Sequence, residues 1–262
     1  MKARSWRSAE GGGLAVRSRC SVGWAPRFGI CWLLMSVATV AAEGAGAAAD
    51  PPRPPGLAAE ERRVAVDPNL PPWNSIARVQ TNIGSRCTGV LIASDIVLTA
   101  AHCLYNRRTH RLLQAGSLHV LLGYQRSTYR WHRLVARYVS GPGFDGGLRQ
   151  AQSADWARLY LAEPVAAPPL PVAPEAPEAG TEITLAGYNQ DRTELLMADP
   201  SCRLTGGASL PGGTFLTHDC AATRGTSGGP LLTRRGAGWA VVGLNIGVGA
   251  TANIALPASA WR

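Results

Sequence analysis

The sequence predicts an all-β chain that is rich in turns. Glycine and proline are abundant, with 30 Gly and 19 Pro among 262 residues. The apolar residues form short runs that Gly, Asn, Ser and Asp interrupt, which is typical of consecutive strands. Few long stretches repeat their apolar residues with the period of a helix. A chain of this length suits one medium domain or two small lobes, and it can bury a sizeable core.

The predicted strands form two sets, separated by a proline-rich connector over Glu163–Gly180. The first set comprises Ile76–Gln80, Cys87–Ile92, Ile96–Thr99, Leu118–Leu122, Leu134–Val139 and Trp156–Leu161. The second set comprises Glu182–Gly187, Thr214–Thr217, Leu231–Thr233 and Trp239–Gly247. A short helical turn is expected at the C-terminal end, over Pro257–Arg262. Proline-rich segments are extended, so the connector is suited to a crossing between two lobes.

The N-terminal residues have the pattern of a secretory signal. Residues 1–27 carry six Lys and Arg and one Glu, and the uncharged, mostly apolar run Phe28–Ala42 ends in small residues. This run is short for a membrane span, so we predict a signal peptide over residues 1–42, with an uncleaved anchor as the alternative. Residues 43–63 are rich in Ala, Pro and Gly and are predicted to be a propeptide or linker. The body, residues 64–262, is then secreted or periplasmic, with no stable membrane span after signal removal.

The charge of the body is only moderately basic. From Val64 to Arg262 there are 17 Arg, no Lys and 12 acidic residues, a net charge of +5 against +9 for the whole chain. No basic stripe interleaved with aromatic residues accompanies this charge, so we predict no nucleic-acid partner. Arg107–Arg137 holds seven Arg and no acid, which indicates a solvated basic face; attraction of an anionic partner is the alternative.

The four cysteines of the body form two close pairs in the sequence. Cys87 and Cys103 are one pair, and Cys202 and Cys220 are the other. Short-loop disulfides in an oxidising compartment fit this pattern. Zinc is the alternative, but the sequence contains no Cys-x-x-Cys or His-x₃-His spacing. It also contains no acidic cluster typical of a calcium site, and we predict neither a metal nor a cofactor.

A serine framed by glycines, Ser227, stands just before an apolar run near the C-terminal end. Glycines at 225, 228 and 229 permit backbone angles that side chains block, and they allow a substrate carbonyl to approach the main chain. A serine used as a nucleophile needs such room, a base beside it and N–H groups aimed at the oxyanion. A surface turn between two strands is the alternative.

Candidate partners for the serine are His102 and Asp155. His102 follows the predicted strand Ile96–Thr99 and adjoins Cys103, so a disulfide there would hold it rigidly. Asp155 opens a predicted strand, whereas Asp145 lies in a glycine-rich turn, where Asp is common. The other histidines are His110, His119 and His132, expected at the surface, and His218, expected in a pocket or a structural position.

The order of these residues, and the segment that follows Ser227, argue against two classes of hydrolase. Gly225–Gly229 satisfies the Gly-x-Ser-x-Gly pattern, but α/β-hydrolases place their histidine after the serine, and no histidine follows Ser227. Subtilisins place the serine at the start of a helix, whereas Gly, Gly, Pro and a predicted strand follow Ser227.

The chain resembles the chymotrypsin-fold serine endopeptidases. Leu98–Cys103 matches the histidine motif, Asp155–Leu161 the aspartate motif and Gly225–Pro230 the serine motif, in the family's order and across a body of about 200 residues. The resemblance implies two six-stranded antiparallel β-barrels, over residues 64–165 and 180–262, with the active site between them.

The resemblance also implies a role for each residue. His102 is the general base and acid, Asp155 orients it, and Ser227 attacks the carbonyl carbon. The N–H groups of Gly225 and Ser227 form the oxyanion hole. The expected protein is a secreted monomer that hydrolyses peptide bonds in protein or peptide substrates. A catalytically silent secreted binding protein on the same fold is the alternative.

Two departures from the digestive members bear on activation. Thr226 stands before the nucleophile where those enzymes have an aspartate that captures a newly cut N-terminus, and no Ile-Val-Gly-Gly start is present. The familiar zymogen switch is therefore not expected. Both traits resemble the bacterial glutamyl-endopeptidase branch, as does Glu61–Arg63 followed by Asp67 and Pro72. That branch carries a pocket histidine where this chain has Asn245.

The expected substrate pocket is neutral. Ala221 stands six residues before Ser227, where trypsin-like enzymes place an acid. Burying the unpaired charge of a substrate Arg or Lys there would be costly. We predict a pocket that prefers uncharged or small side chains, lined by Ala221, Ala222, Asn245 and Gly247.

Overall fold

The computed structural model describes residues 56–57, 61–146, 152–249 and 252–262. These residues all belong to one compact unit, Pro51–Arg262. The predicted signal peptide and most of the predicted propeptide lie outside the described residues. Within the described ranges, no helix combines the length and apolar character needed to cross a membrane.

The secondary structure of the described residues consists of strands and short 3₁₀ helices. The strands are β1 (Val64–Ala65), β2 (Ile76–Thr81), β3 (Arg86–Ala93), β4 (Ile96–Thr99), β5 (Tyr105–Asn106), β6 (Arg111–Leu112), β7 (Leu118–Leu122), β8 (Trp131–Ser140), β9 (Ala157–Leu161), β10 (Glu182–Tyr188), β11 (Leu196–Leu210), β12 (Gly213–His218), β13 (Pro230–Arg235), β14 (Gly238–Gly247) and β15 (Asn253–Pro257). The 3₁₀ helices span Trp73–Ser75, Ala101–Leu104, Ala115–Ser117, Gln190–Arg192 and Ala258–Trp261. The predicted all-β class is confirmed.

The first six predicted strands close into a barrel. The strand order is β2-β3-β4-β9-β8-β7, and every neighbouring pair is antiparallel. Alternate side chains of these strands point inward, and the register places Val79, Val97 and Leu159 on one face, in the barrel interior, with no more than 1% of their surface exposed. The small strands β5 and β6 pair only with each other.

The second set of strands forms a seven-stranded sheet in the order β1-β11-β10-β13-β14-β15-β12. In addition, β11 pairs with β12, so six of these strands follow one another in a ring and β1 lies beside it. The proline-rich connector runs between the two sets without a strand of its own, apart from a single bridge between Val172 and Val241.

Three elements of this second sheet differ from the sequence expectation. Strand β11 was not expected, because Pro200, Gly206 and Gly207 along it are residues typical of turns. Strand β15 was not expected either. Strand β1 pairs with β11, with Val64 opposite Ala198, so the range 64–165 assigned to the first barrel includes a strand of the second sheet.

Buried apolar side chains connect the two sets of strands. One cluster fills the first barrel and continues into the second sheet through Leu196, Phe215 and Leu244. A smaller cluster, which includes Ile183, Leu204 and Val242, lies within the second sheet. The loops that carry the candidate site are therefore anchored on a shared core.

Candidate active site

His102 lies in a tight turn at the end of the first barrel. It belongs to the 3₁₀ helix Ala101–Leu104, directly after β4, and 14% of its side chain is exposed. A disulfide between Cys87 and Cys103, with S–S 2.09 Å, ties this turn to β3. The turn is therefore fixed at both ends, by the strand before His102 and by the disulfide after it.

Asp155 meets His102 because of the register of β4 and β9. These strands are antiparallel neighbours, with Thr99 opposite Ala157. His102 follows the end of β4 and Asp155 precedes the start of β9, so both lie at the same end of the pair. The Asp155 carboxylate accepts the His102 backbone N–H through Oδ1 at 2.8 Å and lies 2.7 Å from ring Nδ1 through Oδ2.

The tautomer of His102 follows from this partner. An ionised carboxylate only accepts hydrogen bonds, so Nδ1 carries the proton and donates it to Asp155. In the neutral ring, Nε2 is then the basic nitrogen. The carboxylate is itself buried, with 8% of its side chain exposed, so water competes little for it.

Ser227 lies on the loop between β12 and β13, next to the turn that carries His102. Its carbonyl oxygen accepts the N–H of Thr88 at 2.9 Å and lies 3.8 Å from Sγ of Cys103. Gly228 makes this approach possible, since a Cβ at that position would lie 2.2 Å from the carbonyl oxygen of Thr88. The glycine after the serine thus lets the loop rest directly on the first barrel.

Two N–H groups beside the serine are free to bind an anion. Gly225 has φ +93°, a conformation that favours glycine, and a Cβ there would lie 2.4 Å from the carbonyl oxygen of Tyr188. In the part of the chain that the structure describes, neither the Gly225 N–H nor the Ser227 N–H donates to a protein group. The intervening Thr226 N–H does donate, to the Thr223 carbonyl at 3.2 Å.

The residues predicted to line the substrate pocket lie at the start of the serine loop and at the end of β14. Ala221 and Ala222 are buried, and Gly247 ends β14 in a half-buried position. The Ala221 N–H donates to the carboxylate of Asp199 at 2.7 Å, and the Ala222 N–H donates to the carbonyl oxygen of Gly56 at 2.8 Å. The sequence analysis did not single out Asp199, because no local pattern indicates that its carboxylate binds the backbone of Ala221, 22 residues further along the chain.

Asn245 lies behind the serine loop rather than at an open surface. It is 1% exposed, and its Oδ1 lies 3.1 Å from Nε2 of His218. Its backbone accepts from Gly228 and donates to Gly229. Burial lowers the pKa of His218 to about 4, opposed by the hydrogen bond to Asn245 and by the charge of Asp219. His218 is therefore neutral near pH 7, and its role here is structural.

The remaining candidates lie elsewhere. His110 is exposed, and His119 and His132 stack on each other with ring centroids 5.1 Å apart. Asp145 is exposed and accepts a hydrogen bond from Gln152 at 2.6 Å. Of the acids weighed in the sequence, Asp155 is the one that contacts His102.

The described residues contain two groups with the ligand types of a metal site, and each includes a disulfide. One comprises Cys87, His102 and Cys103, and the other Cys202, Asp219 and Cys220. Cys202 and Cys220 are joined with S–S 2.18 Å. A cysteine in a disulfide offers no thiolate, so neither group has the ligands that zinc requires.

Comparisons with known proteins identify a family for this chain. The family model described as "Trypsin-like peptidase domain" matches residues 87–244. Among curated proteins, the chain is similar to a "Trypsin-like protease" of Streptomyces glaucescens, with 29% identity over 60% of this chain and 63% of that protein. It is also similar to "Serine protease 56" of Homo sapiens, with 30% identity over 64% of this chain and 30% of that protein. The chain thus spans less than two thirds of either relative.

A solved structure of a Glu endopeptidase in complex with MPD has a similar fold. The TM-score is 0.61 with 22% identity, over 74% of this chain and 88% of that one. At this identity the likeness concerns the fold alone.

Proposed function

Because the chain belongs to the family of trypsin-like peptidase domains, we propose that it is a serine endopeptidase that forms an acyl-enzyme through His102, Asp155 and Ser227. The family membership confirms the resemblance predicted from the three sequence motifs. The observation that carries the proposal is the pair of bonds from His102 to Asp155, at a turn against which the Ser227 backbone lies.

Each residue has one task in the proposed reaction. Ser227 Oγ attacks the substrate carbonyl carbon, and its proton passes to Nε2 of His102. The N–H groups of Gly225 and Ser227 hold the oxyanion of the tetrahedral intermediate. When the C–N bond breaks, Nε2 returns the proton to the leaving amine, and a water activated by the same nitrogen then hydrolyses the acyl-enzyme. Asp155 stabilises the imidazolium in both steps.

The proposed architecture is two six-stranded barrels with the site between them. The ring formed by β10 to β15, joined through the β11–β12 pairing, supports a second barrel. His102 and Asp155 come from one set of strands and Ser227 from the other. A shift of one set of strands relative to the other would therefore separate the base, His102, from the nucleophile, Ser227.

We further propose a preference for uncharged or small side chains before the scissile bond. Ala221 and Ala222 are both buried and offer no charge to a substrate Arg or Lys. Among the described residues, the acid that touches this wall is Asp199, and it is already bound to Arg62 at 3.1 Å.

Two disulfides support export to an oxidising compartment, secreted or periplasmic. The predicted boundaries at residues 42 and 63 stay predictions. The substrate in this proposal is a protein or peptide, and the reaction requires no cofactor.

The test is covalent labelling of the secreted protein with a fluorescent organophosphonate, followed by peptide mapping. We expect label on Ser227 and hydrolysis of casein, both lost in Ser227→Ala and both kept in the control Ser201→Ala. Absence of label on a folded protein would contradict the proposal and favour the catalytically silent binding protein.

A further inference from the structure

A small cavity beside the candidate oxyanion hole is lined by arginines. Its volume is about 220 Å³, and it is bordered by Gly225 and Arg224 of the serine loop and by Arg78 and Arg86 of the first barrel. None of the four residues predicted to line the substrate pocket borders it. The cavity therefore shares no lining residue with the predicted pocket.

The positive charge of this cavity is only partly compensated. Arg78 is buried, donates to the carbonyl oxygen of Thr193 at 3.0 Å and pairs with Glu194 at 3.5 Å. Arg86 and Arg224 are exposed. Across the residues that the structure describes, neither of them forms a salt bridge. Two uncompensated guanidinium groups thus stand at the cavity.

We propose that this cavity binds an acidic side chain of the substrate on the leaving-group side of the scissile bond, with Arg86 and Arg224 as its specificity-determining residues. The inference rests on the proposed endopeptidase function. In the proposed reaction the acyl side of the substrate occupies the predicted pocket at Ala221 and Ala222, which leaves the cavity beside Gly225 for the leaving-group side. A guanidinium matches a carboxylate with two parallel hydrogen bonds and repels a substrate Lys or Arg.

The experiment compares three peptide series that share one acyl-side sequence and carry Glu, Gln or Lys at the first two positions after the scissile bond. We expect kcat/KM for Glu to exceed that for Gln by about five- to tenfold at low salt, as for two exposed ion pairs, and Lys to be the poorest. The preference falls at 1 M NaCl because salt screens exposed charges. Arg86→Ala/Arg224→Ala removes it, while the matched control Arg235→Ala, also exposed, keeps it.

The outcomes separate this inference from the function on which it rests. If no peptide is cleaved, the endopeptidase function itself is contradicted. If all three are cleaved and the wild type treats Glu and Gln alike, or the double variant keeps the preference, the acidic subsite is wrong and the endopeptidase stands.

A second inference comes from a different group, the buried guanidinium of Arg63. Its side chain is 1% exposed, and its five N–H donors are all used. Two bonds reach Glu61, at 2.7 and 2.8 Å, two reach Asp191, at 2.7 and 3.0 Å, and one reaches Asn189 at 2.9 Å. The hydrogen bonds from Arg63, together with its charge, hold the pKa of both carboxyl groups, Glu61 and Asp191, below their usual range.

These bonds continue to the residue before the nucleophile. Oδ1 of Asn189 also accepts the Thr223 N–H at 3.2 Å and the Thr226 hydroxyl at 3.0 Å. The Thr223 hydroxyl lies 3.0 Å from Asp191. The Gln190 N–H donates to the Arg224 carbonyl at 2.7 Å. Hydrogen bonds therefore hold the serine loop on the segment 189–191. Arg63 in turn binds Asn189 and Asp191 of that segment.

We infer that Arg63 is a positioning residue that keeps the serine loop in its oxyanion-binding conformation. Digestive relatives use a newly cut N-terminal ammonium and an aspartate at the position of Thr226. Here Thr226 is neutral, and an internal guanidinium acts through Asn189 instead. This inference also rests on the proposed endopeptidase function, with residues 43–63 as a linker that stays attached to the body.

The test uses Arg63→Ala and Arg63→Lys, with Arg203→Ala, an ion-paired arginine on the same sheet, as the matched control, measured where circular dichroism shows each variant folded. We expect kcat to fall about 100-fold in Arg63→Ala, as for loss of an oxyanion donor, with KM little changed. Added guanidinium ion should restore part of kcat, and Arg63→Lys should recover less than Arg because it lacks the planar fork. Arg203→Ala keeps its kcat.

A purely structural role predicts something else. If Arg63→Ala lowers Tm but leaves kcat of the folded protein unchanged and insensitive to guanidinium, the positioning role is wrong. An inactive wild type would contradict the endopeptidase function rather than this inference.

Discussion

The two halves of the candidate site are held in different ways. His102 and Asp155 lie at the end of a closed barrel whose interior is apolar, and a disulfide pins the histidine turn. Ser227 lies on a loop that the Cys202–Cys220 disulfide ties to β11 at its start and that buried polar side chains hold further along. These buried polar residues are Arg63, Asn189, Asp199, His218, Thr223, Thr226, Asn245 and Asn253.

Because of this difference, we expect the two halves to respond differently to the loss of a side chain. Apolar contacts are many and individually small, so the loss of one side chain lowers stability by an amount that depends on the cavity left behind. A buried polar network depends on every partner, because a group left without one retains its full desolvation penalty. The base is thus expected to be robust in position, whereas the nucleophile depends on a few hydrogen bonds.

The largest expected effect is a loss of kcat caused by a substitution at Asp155, in the barrel half of the site. Asp155→Asn keeps the shape but offers an amide that can stabilise the wrong tautomer of His102, so kcat should fall about 10⁴-fold. The measurement is kcat for a cleaved peptide, together with Tm. Asp145→Asn is the matched control and should keep full activity; equal losses in both variants would contradict the assignment.

Much of the barrel half could be predicted from the sequence, and much of the other half could not. The strands that build the first barrel show plain apolar runs, and the motif around His102 is local. The bonds of Asn189, by contrast, join it to Arg63, 126 residues away, and no periodicity or spacing encodes such a pairing. Strand β11 was missed for a related reason, because its Pro and Gly residues are typical of turns until a partner strand pairs with them.

A core truncation should affect stability without affecting chemistry. Leu98, on β4 of the first barrel, is fully buried, so Leu98→Ala should lower the free energy of unfolding by about 3 kcal/mol. Leu210→Ala, at a position that is 39% exposed, is the control and should change it by less than about 0.5 kcal/mol. Urea unfolding gives both values. A large loss of kcat in folded Leu98→Ala would show that the barrel half is less tolerant than proposed.

Acid should weaken the polar half through His218. Its pKa in the folded protein is about 4, below the unfolded value of about 6.5, so the unfolded chain binds more protons between these values. Stability is therefore full above pH 6.5 and falls by up to about 3 kcal/mol as the pH drops to 4. His218→Gln removes this part of the pH dependence, measured by urea unfolding at pH 7 and pH 4.

Exposed His110 supplies the control for that experiment. His110→Gln should follow the wild-type pH profile. If His218→Gln loses as much stability between pH 7 and pH 4 as the wild type does, another group is responsible for the acid sensitivity.

The smallest expected effect tests whether burial, rather than polarity, makes the second half sensitive. Glu182 pairs with Arg203 at 2.6 Å on the same sheet, but the side chains are 73% and 53% exposed. Water solvates both groups whether or not they pair, so Glu182→Ala should lower the free energy of unfolding by about 0.5 kcal/mol or less. Salt should erase even that difference. If Glu182→Ala lowers the free energy of unfolding as much as Leu98→Ala does, then ion pairs stabilise this sheet whether buried or exposed. The difference between the two halves would then come from charge and not from the desolvation of buried polar groups.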